Sequence, residues 1–323
     1  MMADAELIAD RRRLRRKLTL WRVLGILGLL AGVVVAGTVA TRGPEGVGPG
    51  RPQIARISVT GVIMGDQRVT ELLKQVGESA AVKGVVVSIS SPGGTTSGSE
   101  ELFQGIRTLA GRKPTVAFVD GLAASGGYIT ALGADRIVAR ETALVGSIGV
   151  LFQYPDFSKL LGQVGVSVSA VKSSPLKAEP SGFNPPPPEA IAALQSVVND
   201  TFAWFKGLVK ERRQMSPGEL DAVADGRVFS ARQGLPLKLV DQLGTERDAI
   251  AWLEAEKGVA RDLPVRDWKP RGESGFSLWS AAAFGADLLG YDGLALALRR
   301  GAEGAMAAKL DGLLAVWQPP VGR

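Results

Sequence analysis

Apolar positions along the chain fall into three regimes. Val23–Ala40 is a single run of eighteen uncharged residues. From Ile54 to about Gly258, short apolar runs alternate with stretches of helical period. From Gly275 onward, Ala, Leu and Gly dominate. In the middle regime the period-2 and continuous apolar runs predict strands at Ile54–Val59, Val85–Ile89, Thr115–Val119, Arg136–Ala139 and Val166–Val171. Helices are predicted between them near 69–78, 99–110 and 125–133. Ser97 and Glu100 have capping-box spacing at the second, and Gly111 suits its end. Strands alternating with helices predict an α/β domain with parallel pairing.

Ser173–Pro188 breaks the alternation. Six of its sixteen residues are Pro, which predicts an extended loop. A long helix is expected over Glu189–Arg213. Shorter ones are expected from Ser216 (with Glu219), Ser230 (with Gln233) and Thr245. Residues 41–53, with three Pro, read as a linker. In the C-terminal stretch the longest uncharged run, Gly275–Ala286, has twelve residues, too short to span a bilayer. That stretch either packs on the domain or a neighbouring subunit, or lies at a membrane interface. The expected organisation is a basic tail (1–22), an apolar segment (23–40), a linker (41–53), the α/β domain (54–261) and an apolar extension (262–323).

Charge changes the picture at the N-terminus only. The net charge of +6 invites a nucleic-acid reading, but seven Lys/Arg lie within residues 11–22. Outside that block the chain is close to neutral, so the excess is a terminal tag and no nucleic-acid face is expected. As a helix, Val23–Ala40 would be about 27 Å long, near the hydrocarbon thickness of a bilayer. Trp21 and Arg22 stand where an interfacial aromatic and a snorkelling cation belong. The basic flank comes first, so the N-terminus is expected to stay cytoplasmic and the rest to cross. A cleaved signal peptide ending near Thr38-Val39-Ala40 is the competing reading.

The chain has no histidine and no cysteine. A Ser-His-Asp triad, a thiol nucleophile, disulfides and a Cys/His zinc site are therefore excluded. No metal or cofactor is implied. Yet Gly121–Tyr128 reads Gly-Leu-Ala-Ala-Ser-Gly-Gly-Tyr, a small-residue turn after a strand that presents one hydroxyl, Ser125. The Gly126 amide, in the first turn of the expected helix, has no intrahelical partner and suits an oxyanion. The plain alternative is a serine N-cap in a glycine turn. Ser90–Gly94 ends a second strand with two glycines that aim backbone amides at a ligand. A phosphate cradle is excluded there, since neither a Walker lysine nor G-x-G-x-x-G follows. Two such turns together point to an acyl-binding crevice.

The base for Ser125 would then be an amine. Lys159, Lys172 and Lys177 follow it. A solvated lysine has a pKa near 10.4, and bringing it near 7 takes about three units, on the order of 4 kcal/mol. Only burial or a second cation supplies that. A lysine in the Pro-rich loop serves only if the loop packs over the crevice or inserts into a neighbour.

Five motifs in order sharpen this reading: Ser-Pro-Gly-Gly (91–94), Ala-Ala-Ser-Gly-Gly-Tyr (123–128), Ala-Asp-Arg-Ile-Val-Ala (134–139), Gly-Ser-Ile-Gly-Val (146–150) and Ala-Asp-Gly-Arg-Val-Phe (224–229). Together they resemble the short bacterial form of signal peptide peptidase A, from about Ile54 to Gly258 and including the anchor. The resemblance implies a Clp/crotonase-like α/β fold, a repeated β-β-α superhelix in one main domain behind an N-terminal transmembrane helix. It implies a membrane-anchored Ser-Lys endopeptidase in a homo-oligomer, with active sites shared between adjacent subunits. Its catalytic domain would face the periplasm or cell exterior. Its substrates would be remnant signal peptides and other unfolded apolar segments. Carried over, Ser125 is the nucleophile and Lys177 the general base, with Lys172 the second choice because the stretch around it departs from the family pattern. Ser147 orients the lysine amine. Gly93 or Gly94, together with Gly126, holds the oxyanion. Activity is expected to rise with pH as the amine deprotonates. Two other readings share the fold: a crotonase-like acyl-CoA enzyme and a non-catalytic membrane scaffold.

Overall fold

The computed structural model describes residues 51–270, the backbone of 313–316, and the isolated helical positions Trp21 and Gly25. The chain divides into two units, Met1–Arg51 and Pro52–Arg323, and the fold below belongs to the second. The run Val23–Ala40, expected as an anchor, lies outside the described residues. Among the described residues no helix is long and apolar enough to cross a membrane.

Ten strands and eight helices are described: β1 (Gln53–Ile63), α1 (Gln67–Glu78), β2 (Val82–Thr95), α2 (Thr96–Ala110), β3 (Thr115–Ala124), α3 (Gly126–Leu132), β4 (Arg136–Ala139), β5 (Leu144–Gly146), β6 (Leu151–Phe152), α4 (Ser158–Gln163), α5 (Pro188–Arg213), α6 (Pro217–Asp221), β7 (Val228–Ser230), α7 (Ala231–Gly234), β8 (Gln242–Leu243), α8 (Glu246–Glu256), β9 (Val265–Asp267) and β10 (Leu313–Val316). Strands β9, β1, β2, β3, β4 and β8 lie side by side, all parallel. The chain is a mixed α/β domain. The sheet takes in β9 and β10, both beyond residue 261.

The central strands are apolar because both faces are covered. Side chains alternate across the sheet. Val85, Val87 and Ile89 join one buried cluster, against α1, α2 and α3. Val86, with Val116, Phe118 and Val138 of the neighbouring strands, joins the other, against Ala249 and Leu253 of α8. Capping boxes open α6 at Ser216 with Glu219, α7 at Ser230 with Gln233 and α8 at Thr245 with Asp248.

Two expectations are corrected. Helix α2 is capped by Thr95, whose Oγ1 accepts from the Gly98 amide at 3.1 Å. The Ser97–Glu100 spacing is therefore not its capping box. Strand β2 runs straight through its glycines into the helix, which leaves no loop for a later cap. Val166–Val171 forms no strand and is exposed, with Val171 fully so. Its alternation is that of a strand, but it pairs with no edge of the sheet.

Register breaks at Thr60/Val62 in β1 and at Ile89/Ser91 in β2 let the carboxyl ends of β2 and β3 leave the main sheet for new neighbours. There β3 pairs with β5 through Ala124 and Gly146, and β5 pairs antiparallel with β7. Helix α3 is anchored from below: Tyr128 is fully buried and its hydroxyl donates to the Leu239 carbonyl at 2.8 Å. Burial pushes that hydroxyl's pKa well above its ordinary value, so it stays a donor. Tyr128→Phe is expected to leave that carbonyl unpaired and to lower stability by about 1–3 kcal/mol. Urea unfolding of the two forms checks this.

Candidate functional site

The site lies where the glycine turn of β2 meets the turn that ends β3. Ser91 registers with Ala123 across the two strands. A Cβ on Gly127 would sit 2.6 Å from the Ser91 carbonyl oxygen, so the turns touch backbone to backbone and only glycine fits. Gly94 is tighter still: a Cβ there would fall 1.7 Å from the Ile63 carbonyl oxygen of β1. Gly94→Ala is therefore expected to push β1 and β2 apart, costing about 2 kcal/mol or more and removing function. A thermal melt paired with an activity assay reads both.

Ser125 is 1% exposed and has φ +52° and ψ −116°, a region non-glycine residues rarely enter. Such a backbone costs on the order of 1–3 kcal/mol and persists only where surrounding contacts hold it. Here its amide donates to the Gly146 carbonyl at 2.8 Å, and its carbonyl accepts from Tyr128 and Ile129 at 2.9 and 3.0 Å. Ser125 holds the N-cap position of α3, but its hydroxyl makes no capping bond. The plain reading as a helix-capping serine is thus set aside. Gly126, the first residue of α3, presents a first-turn amide beside that hydroxyl.

Ser147 is brought next to Ser125. It follows Gly146, whose carbonyl holds the Ser125 amide, and it also has positive φ, +51°. It is buried, and its amide donates to the Arg227 carbonyl at 2.8 Å. Arg227, whose guanidinium pairs with Asp225 at 2.6 Å, therefore positions this turn through its backbone. Phe229 closes over Gly146, its ring 3.0 Å from where a Cβ would stand. Sequence reading quoted the 224–229 motif without giving Arg227 or Phe229 a task. Their work is done by a carbonyl and a ring edge, for which residue type is a weak signal.

The glycine turn distinguishes its two amides. Gly93 has φ +100°, and its N–H donates to Ser91 Oγ at 3.1 Å. Ser91 Oγ in turn donates to the Gly61 carbonyl at 2.7 Å. Gly94 follows, in register with Ile63 of β1 on one side and Ala315 of β10 on the other.

The lysines lie apart from this cluster. Lys177 is exposed, in a segment without regular secondary structure, with its amide donating to the Ser174 carbonyl at 3.1 Å. Among the described residues no hydrogen bond joins its amine to Ser125 or Ser147. Lys172 is engaged with Glu179, and that hydrogen bond holds the Glu179 carboxyl below its usual range. The structure thus brings Ser125, Gly126 and Ser147 together and sets the glycine turn of β2 against them through Ser91, while no hydrogen bond among the described residues ties either lysine to them. Among the described residues no group of His, Cys, Asp and Glu could hold a metal ion.

The chain is similar to proteins named as proteases. Residues 107–260 match peptidase family S49. A Synechocystis protein named as a protease is 37% identical over 226 residues, 68% of this chain and 81% of the relative. An Enterococcus faecium protein named as a signal peptide peptidase SppA is 32% identical over 236 residues, 69% of this chain and 68% of the relative. Protease 4 of Haemophilus influenzae is 28% identical over 226 residues, 67% of this chain but 37% of that longer protein.

Proposed function

The chain belongs to peptidase family S49 and is a serine peptidase, and from that premise we propose that Ser125 is its nucleophile and Lys177 of an adjacent copy its general base. Membership of a peptidase family sets aside the acyl-CoA and scaffold readings of the same fold. The observation that carries the assignment of Ser125 is its buried, positive-φ backbone at a helix N-terminus, with the hydroxyl excused from capping.

The neutral amine of Lys177 removes the Ser125 hydroxyl proton as Oγ bonds to the scissile carbonyl carbon. The carbonyl electron pair moves onto oxygen, which the amides of Gly126 and Gly94 hold. Gly94 is favoured over Gly93, whose amide is engaged by Ser91. The tetrahedral species collapses, breaking the C–N bond, and the Lys177 ammonium returns its proton to the leaving amine. Water then attacks the acyl-enzyme and gives its proton to the lysine, and Ser125 Oγ leaves and recovers a proton. Ser147 orients the amine.

Two observations support a base supplied between copies. An ammonium surrounded by water is no base, and Lys177 is exposed in the single chain. The segment carrying it also exposes Phe157, Leu160, Val164, Val166, Leu176 and Phe183, far more apolar side chain than one loop of a monomer ordinarily shows to water. Packing that segment onto a neighbour's crevice buries both. The sheet with its register breaks in β1 and β2 is read as the Clp/crotonase-like superhelix. Val23–Ala40 is read as the anchor, with the N-terminus cytoplasmic and the peptidase domain periplasmic or extracellular. The substrates are remnant signal peptides and other unfolded apolar segments.

A fluorophosphonate probe is expected to label the full-length protein at a single residue, Ser125, located by mass spectrometry of the digested adduct. Labelling at another serine would overturn the assignment.

A further inference from the structure

Helix α3 is too short to hold its own shape. It has seven residues, and helices below about 12–15 residues do not persist unaided. Yet its start must keep Ser125 in a positive-φ backbone that a free chain would leave. Its far end shows what helps to hold it. A helix leaves its last carbonyls without intrahelical partners. Here three consecutive carbonyls, of Leu132, Gly133 and Ala134, each accept from a guanidinium. Arg212 Nε donates to the Leu132 carbonyl and Nη2 to the Ala134 carbonyl, both at 2.9 Å. Arg107 Nη1 of α2 donates to the Gly133 carbonyl at 2.7 Å. Arg107 also lies 3.5 Å from Asp135, but among the described residues Arg212 forms no salt bridge. Burial, and then the neighbouring Arg107 cation, push the Arg212 pKa below its ordinary value. The charge is opposed there, and what the side chain gains is the two carbonyls.

Arg212 comes from the last turn of α5 and shares a helical face with Phe205 and Val209, both fully buried. That face seats α5 on the core, so the guanidinium is carried by a packed helix and not by a loop. Helix α2 closes on the same end of α3: a Cβ on Gly133 would stand 2.9 Å from Ile106. Helix α3 is thus fixed at its start by the Gly146 carbonyl and the Ser91 backbone, and at its finish by α5 and α2.

We propose that Arg212 is a positioning residue for the reaction at Ser125. Its two-pronged hold on Leu132 and Ala134 sets where α3 stands along its axis, and so where Ser125 Oγ and the Gly126 amide stand against the Gly94 amide. The inference rests on the reading of Ser125 given above. The held carbonyls lie about 10 Å from Ser125 along α3, so Arg212 touches neither nucleophile nor substrate. Released at that end, α3 slides or frays and the strained turn at Ser125 relaxes. A displacement of about 1 Å between reacting groups costs about 10²-fold in rate.

Arg212→Met keeps the apolar stem and removes both bonds. In the full-length protein it is expected to lower kcat for peptide cleavage by about 10–100-fold at unchanged KM. The rate is counted per active site titrated with a fluorophosphonate probe, well below the melting temperature. Arg212→Lys keeps the cation and reaches one carbonyl at a time, and is expected to fall between the two forms. A role in stability alone predicts fewer titratable sites, each working at the original rate. That result for Arg212→Met would overturn the proposal. Should Arg212→Met not fold, the lysine variant carries the test, and a per-site kcat equal to that of the unaltered protein would overturn it. Mass spectrometry of the adduct separates the two readings. An adduct on a serine other than Ser125 defeats the assignment of the nucleophile, whereas an adduct on Ser125 with per-site rates unmoved defeats the role of Arg212 alone.

Discussion

Ser125→Ala is expected to lower kcat/KM for peptide cleavage by about 10⁴-fold or more, with the fold intact. The size of the effect follows from the absence of a substitute. The chain holds no thiol or imidazole that could attack in its place. Of the other buried serines nearby, Ser91 has its hydroxyl engaged by the Gly61 carbonyl and the Gly93 amide, and Ser147 sits on a turn fixed by Gly146 and Arg227 rather than at the start of α3. The fold should survive because the Ser125 hydroxyl caps nothing, and alanine meets the same positive-φ strain as serine. Circular dichroism and a melting curve close to those of the unaltered protein would confirm that only chemistry was lost. Full activity of Ser125→Ala would end the account.

Lys177→Ala is expected to be nearly as damaging, about 10³–10⁴-fold in kcat, because without a base the hydroxyl attacks with its proton in place. Lys172→Ala is the contrasting variant. Lys172 is engaged with Glu179, so its amine is already partnered within its own loop. Its removal should disturb the loop and leave kcat within a few-fold of the original. An active Lys177→Ala beside a dead Lys172→Ala would move the base to Lys172 and leave the mechanism otherwise as described.

The residues legible in the sequence were those whose chemistry is local. Gly-Gly beside a strand end announces backbone contact, and the Gly94 and Gly127 positions are closed to any Cβ. The apolar runs of β2 and β3 marked the sheet because both faces are covered. Thr95, in contrast, caps α2 because of where β2 ends, which spacing alone does not reveal. Val166–Val171 alternates like a strand yet joins no sheet among the described residues, since alternation specifies a surface and not a partner. Strands β9 and β10, of three and four residues, are too short to carry a period. The separation of Lys177 from Ser125 was equally unreadable. In the proposed site, burial of that amine comes from contacts between copies, and no residue pattern within one copy encodes their geometry.

Mixing the two inactive variants tests the shared site most directly. Ser125→Ala and Lys177→Ala chains, co-expressed and purified as one assembly, are each dead alone. If serine and lysine come from adjacent copies, a site is whole wherever a Lys177→Ala chain supplies Ser125 and its Ser125→Ala neighbour supplies Lys177. Random assembly then restores about a quarter of the unaltered activity. A mixed assembly as inactive as its two parents would contradict a site completed between copies.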